Sequence, residues 1–375
     1  MVFRHLDPAL LEDCFSWAGL NEILSRGSAV PADFFLCAEG KRLPEHQYTV
    51  SLDGHRVFDL PRVFALMRAG TTLIIDSLDR IHPGVRAATD DIMRITGETA
   101  ACNLFVTFDD AQAFDSHFDE VDTFVVQLLG SKHWKVHGPS EEFPLPEYGD
   151  SDPVNCPDTV LFEKTLTPGD VIHVPRGWWH TVRGGGETSL HLTFAFTRRT
   201  GYDWLRWAAR QALSRPEIRE SLDRAASPEA QRAQQERIIE AFLAEAKNMP
   251  LEDFFGAERR ASGGRDLASL PWDVSGAHPA GEDVVELVPV LAPAVRVEGE
   301  HVVVTAADQD FALPVGHHPA IEALVRARRL TVAQLAAQAG APVASVSALV
   351  AALLRCRLVT VSGADAARRD SERDR

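Results

Sequence analysis

Hydrophobic spacing divides the chain into three regimes. Up to about residue 100, helical and extended patterns alternate. Apolar positions recur at helical spacing over 8–17 (with Asp7 as capping residue), over 62–68 after Asp59-Leu60-Pro61, and over 85–96 after His82-Pro83. Apolar runs at 34–37, 47–52 and 72–75 read as short strands. From 100 to 199 the period falls to two. Residues 100–108 (AACNLFVTF) and 123–129 (TFVVQLL) read as strands, and turn residues punctuate the region at Asp109-Asp110, Gly130-Ser131, Gly138-Pro139, Pro168-Gly169-Asp170 and Gly184-Gly185-Gly186. Short strands at this spacing predict a closed or sandwiched antiparallel barrel, with one long polar loop at 144–157.

After 199 the pattern becomes helical. Trp204, Leu205, Ala208 and Leu213 fall at helix spacing over 202–214. Ser227-Pro228-Glu229 combines an N-cap, a proline at the first helical position and an acid in the first turn, and starts a helix running to about Lys247. Its Ile238, Ile239, Phe242 and Leu243 form one apolar face that must be buried somewhere. Residues 258–283 are rich in Gly, Ser and Pro and read as a linker. A compact winged-helix-like unit follows over 284–362: strands at 284–291 and 301–305, a helix at 319–327, a helix opened by the capping box Thr331…Gln334 and closed by Gly340, a helix from Pro342 to Arg355, and a closing strand over 357–362. The charged tail 363–375 reads as disordered. The domain expectation is therefore 1–200 for the barrel domain (core about 100–199), 201–257 helical, 258–283 linker and 284–362 winged helix.

Composition narrows the function classes. Apolar residues at 45% and charged residues at 25% are ordinary for a soluble globular protein, whereas a net charge of −16 opposes a nucleic-acid surface. A recognition helix needs Arg, Lys, Asn or Gln on its early turns, and residues 342–354 offer only two serines before Arg355, so no direct DNA binding is expected. Five scattered cysteines without CxxC spacing read as reduced thiols. With no signal-peptide pattern after Met1 and no apolar run of membrane-spanning length, the reading is cytoplasmic and without a membrane.

The chemistry gathers around His117-Phe118-Asp119. Alternation puts His117 and Asp119 on the same side of an extended backbone. His180, closing the run Pro175-Arg176-Gly177-Trp178-Trp179-His180, lies 63 residues on, a gap that only a folded barrel could close. Two imidazoles and a carboxylate can take one face of an octahedral Fe(II) and leave the other positions open. An isolated HxD is a weak signal, and Lys132, just after a turn, reads by itself as a solvated lysine. Parity puts Lys132, Trp134 and Val136 on one strand face, and Asn103, Phe105 and Thr107 on another. His133, His137 and His173 do not converge on the triad and read as satisfied or exposed structural residues. His191 shares a face with Thr193, which puts it either in a pocket or among the structural histidines.

The runs HFDEVDTFVVQLLGSKHWKVHGP, LTPGDVIHVPRGWWH and SLHLTFAF resemble the JmjC-type cupins that are Fe(II)- and 2-oxoglutarate-dependent oxygenases. Within these the chain is most similar to the ribosomal oxygenases, protein hydroxylases with a C-terminal winged helix. The resemblance is dense over about 101–199 and only architectural beyond. It implies an α+β fold: a double-stranded β-helix barrel with an N-terminal α/β elaboration, a helical dimerisation region giving a homodimer, and a winged helix. It implies His117, Asp119 and His180 as iron ligands, and Lys132, Asn103 and Thr193 as partners of 2-oxoglutarate, with O₂ as co-reactant. Histidyl hydroxylases of that branch carry tyrosine at Phe105, serine at Ala195 and commonly proline at Ser116. The implied function is hydroxylation of a C–H bond in a protein or peptide side chain, such as a ribosomal protein. Alternatives are a peptide or small-molecule natural product as substrate, or a non-catalytic metal-binding cupin regulator with a helix-turn-helix.

Overall fold

The computed structural model describes residues 1–11, 14–25, 33–145, 152–261, 265 and 267–363; the tail expected to be disordered, apart from Gly363, and the middle of the 144–157 loop lie outside them. The chain folds into two compact units, Met1–Arg198 and Arg199–Arg375.

The first unit contains strands β1 (Val2–His5), β2 (Phe34–Ala38), β3 (Lys41–Arg42), β4 (Thr49–Leu52), β5 (His55–Phe58), β6 (Thr72–Ile75), β7 (Ala100–Thr107), β8 (Asp122–Leu129), β9 (Lys132–Pro139), β10 (Val160–Leu166), β11 (Asp170–Val174), β12 (Trp178–Gly184) and β13 (Ser189–Phe196). Its helices are α1 (Trp17–Ser25), α2 (Leu60–Arg68) and α3 (Pro83–Thr96). A large sheet runs in the order β1-β11-β8-β13-β7-β6-β2-β3, and a smaller one in the order β10-β9-β12. Their pairings are antiparallel. The chain changes sheet at the Gly130-Ser131 turn, from β8 to β9, and again between β10 and β11, β11 and β12, and β12 and β13, so the two sheets become opposite walls of a barrel. Trp134, Val136 and Leu166 from the small sheet pack with Val125, Ile172 and Val174 from the large one between those walls.

The large sheet is covered on its other face as well. Cys102, Leu104 and Val106 of β7 and Leu190, Leu192 and Phe194 of β13 point into a core shared with Val63, Met67 and Val85 from α2 and α3. Each such apolar side chain contributes about 1.5–3 kcal/mol on burial. The alternate residues Asn103, Phe105 and Thr107 of β7, with His191, Thr193 and Ala195 of β13, line the barrel interior. Period-two patterning thus commits one face to the core and the other to a cavity.

Local differences from the sequence reading have identifiable causes. The helix expected over 8–17 is a single tight turn, Pro8–Leu11, and α1 begins only at Trp17, where Ser16 Oγ accepts from the Gly19 amide at 3.3 Å. The segment 47–52 splits into a turn and β4, which pairs with β5 across Asp53-Gly54. Strand β1 was not expected: four residues at the N-terminus pair with β11 and cover its edge.

The second unit begins with α4 (Gly201–Gln211), α5 (Pro216–Arg219), α6 (Pro228–Ala246) and α7 (Leu251–Ala261). The stretch 258–283 is less bare than a linker: it holds the end of α7 and the short α8 (Trp272–Ser275), and Ser269 Oγ accepts from the Val361 amide at 3.0 Å. Beyond it come β14 (Val284–Leu287), β15 (Ala294–Glu298), β16 (His301–Ala306), β17 (Gln309–Pro314), α9 (His318–Ala327), β18 (Arg329–Thr331), α10 (Val332–Ala339), α11 (Val343–Arg355) and β19 (Val359–Ser362). These form the sheets β18-β14-β19 and β15-β16-β17 against the three helices. Thr331 and Gln334 make both bonds of the capping box, and Gly340 ends α10 with φ +63°. Among the described residues no single helix is long and apolar enough to cross a membrane; α10 and α11 pass only as a pair bent by 113°, and both contribute side chains to the core of this unit.

Candidate metal centre and cavity

The HxD segment is tied by its backbone to the strand that carries the third ligand candidate. The His117 amide donates to the His180 carbonyl at 3.1 Å, the His180 amide donates back at 2.7 Å, and the Gly177 amide donates to the Asp119 carbonyl at 2.9 Å. Gly177 has φ +80°, a conformation glycine adopts without steric cost, and it turns the chain into β12. Ser116 Oγ and Thr181 Oγ1 lie 2.6 Å apart and fasten the same two segments beside the site. Serine at 116 therefore carries a cross-strand bond that a proline could not make.

This pairing brings one donor atom each from His117, Asp119 and His180 within 4.8 Å of one another. His180 Nε2 lies 3.8 Å from Asp119 Oδ2, and the two imidazole centroids are 4.4 Å apart. His117 Nδ1 sits 2.8 Å from the Asp115 carbonyl and His180 Nδ1 sits 3.1 Å from the Trp178 carbonyl. A carbonyl only accepts, so each Nδ1 carries the proton and each Nε2 keeps its lone pair for a metal. Burial, followed by the neighbouring His117, pushes the His180 pKa down to about 4, so this imidazole is neutral at physiological pH. Two imidazoles with Nε2 free and a carboxylate on one side fit a divalent transition metal with open positions.

The triad borders a cavity of about 400 Å³ inside the barrel. Asn103, Lys132 and Thr193 all line it. Asn103 and Thr193 face each other in the β7–β13 register, and Asn103 Oδ1 accepts from the Ser77 amide at 3.0 Å, leaving its NH₂ group for the cavity. Lys132 opposes Gly184 on β12, four positions beyond His180, so it belongs to the end away from the triad. Only 4% exposed, it has no carboxylate partner among the described residues, and desolvation pulls its pKa down to about 7. It is not the solvated turn lysine that its position alone suggested. A buried cation with no counter-charge fits an anionic ligand.

The remaining histidines separate. His133 pairs with Glu163 at 3.0 Å and His173 with Asp122 at 2.8 Å, on neither of the triad's faces. His137 is neither the satisfied nor the exposed residue expected: it is half-buried, and its Nδ1 has no partner among the described residues. His191 lines the cavity. Trp179 is fully buried, edge-on to Phe118, and donates to Ser140 Oγ at 2.9 Å. Sequence reasoning missed the Ser116–Thr181 bond; the only hint was a hydroxyl adjoining the first ligand.

Residues 80–204, which carry the His-Asp-His centre and strands β7 to β13, match the JmjC domain family. The chain is similar to ribosomal oxygenase 1 of Bos taurus, 36% identical over 211 residues, or 55% of this chain and 31% of the relative. It is also similar to the bifunctional lysine-specific demethylase and histidyl-hydroxylase NO66 of Drosophila persimilis, 31% identical over 101 residues, or 27% of this chain and 15% of the relative. The chain thus spans less than a third of the length of these curated relatives. Among solved structures, Escherichia coli YcfD aligns over 96% of this chain and 94% of its own, with TM-score 0.57 and 18% identity, a likeness of fold. A second YcfD structure, titled as a ribosomal oxygenase in complex with cobalt and 2-oxoglutarate, aligns over the same shares with TM-score 0.55 and 17% identity.

Proposed function

We propose that the chain is an Fe(II)- and 2-oxoglutarate-dependent oxygenase that hydroxylates a C–H bond of a protein or peptide side chain. The observation that carries this reading is one cavity with a His117-Asp119-His180 donor set at one end and, at the other, the buried Lys132, which has no carboxylate partner among the described residues. Bound Fe(II), with 2-oxoglutarate and O₂, supplies the oxidising power that a C–H bond requires and that no side chain provides. His117, Asp119 and His180 hold the metal, each imidazole through Nε2. Lys132 neutralises the distal carboxylate of 2-oxoglutarate, while the Asn103 amide and Thr193 hydroxyl orient the cosubstrate. Val125, Trp134 and Phe105 keep this end apolar, so that the ionic contacts work in a low dielectric. The names of the relatives support a ribosomal protein as substrate. Phe105 and Ala195 both line the cavity and bring no hydroxyl to it, which favours a less polar target or a peptide natural product.

In this reading 201–257 dimerises the protein and 284–362 is a winged helix used for docking or packing, in a cytoplasmic homodimer. Supporting the first, Ile239 and Leu243 of α6 are 47% and 48% exposed, with Tyr202, Leu205 and Leu213 exposed in the same unit. Supporting the second, α11 turns Val346, Leu349, Val350 and Leu353 into the core and exposes Val343, Ala344, Ser345, Ala348 and Arg355, a face poor in base-reading side chains. That face weighs against a DNA-binding regulator.

The deciding experiment is anaerobic Fe(II) titration followed by 2-oxoglutarate turnover on addition of O₂. Wild type should bind one Fe(II) per chain and consume 2-oxoglutarate. His117→Ala and Asp119→Ala should lose both properties; full turnover in either variant means that the metal site lies elsewhere.

A further inference from the structure

The end of the cavity around Lys132 contains a second polar group that the reading above leaves unused. His191 lies on β13 between Phe105 of β7 and Gln127 of β8. Its ring stacks on Phe105, with centroids 4.8 Å apart and planes 5° from parallel, and stands edge-on to Trp134 at 6.0 Å. The residue is 3% exposed, and Nδ1 is buried without a partner. Nε2 makes no hydrogen bond among the described residues either, and His191 borders the cavity. Orphaned buried N–H groups are rarer in folded proteins than orphaned acceptors. The proton therefore sits on Nε2, the nitrogen left to face the cavity, and Nδ1 keeps a lone pair. Burial first, and then the nearby Lys132, disfavours a positive charge on this ring.

Gln127, opposite His191 in register, spends its NH₂ on the Leu129 and Gly130 carbonyls and on Ser189 Oγ, at 2.8–3.2 Å. Its Oε1 is buried without a partner, and a water between Gln127 and His191 is the competing occupant. Two donors, an ammonium and an imidazole N–H, thus line one end of the cavity where the described residues supply no anion.

We propose that His191 is a second anchor for the carboxylate held by Lys132: its Nε2–H donates to the distal carboxylate of 2-oxoglutarate, making that end a two-donor site. The proposal rests on the 2-oxoglutarate reading and adds a residue to it. The aromatic clamp of Phe105 and Trp134 fixes the ring, so the donor is preorganised and little freedom is lost on binding.

A ligand-truncation cycle tests it. Dissociation constants of 2-oxoglutarate and of 2-oxobutanoate, which keeps the 2-oxo acid head but lacks the second carboxylate, are measured by calorimetry on Mn(II)-loaded protein for wild type and His191→Phe. A hydrogen bond to a charged group predicts that His191→Phe weakens 2-oxoglutarate by about ten- to a hundredfold. Binding of 2-oxobutanoate should stay within about twofold, and Mn(II) stoichiometry should be unchanged. Equal weakening of both ligands would reduce His191 to a packing residue, and no weakening of either would mean that it binds only water; each result overturns the proposal. If His191→Phe does not fold, His191→Met carries the same comparison. A wild type that fails to bind 2-oxoglutarate brings down both readings. Intact wild-type binding that Lys132→Ala weakens and His191→Phe does not overturns the His191 role alone.

Discussion

At the scale of single residues, Lys132 is the most informative side chain. A buried ammonium facing a carboxylate contributes a charge-assisted hydrogen bond, and removing it also strands the ligand's charge, for a loss of about 3–5 kcal/mol. Lys132→Ala should raise the KM for 2-oxoglutarate by about two orders of magnitude or more. Iron content should hold, since Lys132 is not a ligand. A titration of 2-oxoglutarate with iron measured on the same samples decides this, and unchanged affinity would remove Lys132 from the site. The same residue predicts a pH effect. Burial sets its folded pKa at about 7, against an ordinary 10.5. Between those values the unfolded chain binds more protons than the folded one, so stability rises with pH. Below pH 7 both states are protonated and the cost of burying the charge is fully felt. Lys132→Met removes this dependence. The melting temperature of ligand-free wild type relative to the variant should therefore climb from pH 7 to pH 10, and a constant difference would show a lysine that stays charged.

Elements decide how these residues meet. The turn between β8 and β9 places Lys132 at the first position of its strand and sends the chain to the opposite sheet. Gly130 makes that turn with φ +60°, and a Cβ there would lie 2.0 Å from the Thr188 carbonyl oxygen. Gly130→Ala combines left-handed backbone strain with a clash against main chain, and should destabilise the barrel by about 2–4 kcal/mol. Chemical denaturation would show it as a lower midpoint with an unchanged slope. An unchanged midpoint would mean that β8 and β9 shift to accommodate the methyl group, with Lys132 then displaced and 2-oxoglutarate affinity reduced.

For the whole molecule, the question is what covers the exposed apolar positions of α6. If the helix dimerises, Ile239→Glu combined with Leu243→Glu should yield soluble monomers, while the wild type sediments as a dimer at micromolar concentration. A monomeric wild type would leave the helix as a surface of its own unit. These two positions make a better test than Ile238 and Phe242, which are half-buried within the chain and whose replacement would also disturb folding.

Much of the site could be read from the chain alone, because strand parity is a local property. A period of two over 100–108 and 189–196 dictates that Cys102, Leu104 and Val106 share one face, and Asn103, Phe105 and Thr107 the other, whatever the strands pair with. Capping boxes and turn glycines are equally local, which is why α10 ends where Gly340 stands. Motif resemblance brought His117, Asp119 and His180 together on paper. What no local pattern carries is partnership across sequence distance. Only the tertiary structure pairs the His117 segment with β12, sets both Nδ1 protons on backbone carbonyls, bonds Ser116 to Thr181, and leaves Lys132 and His191 in the same cavity without an acceptor among the described residues. The physical reason is that hydrogen-bond satisfaction and desolvation depend on which chains pack around a group. A lysine after a turn and a histidine on a strand look alike in sequence whether they are solvated, paired or held empty-handed for a ligand.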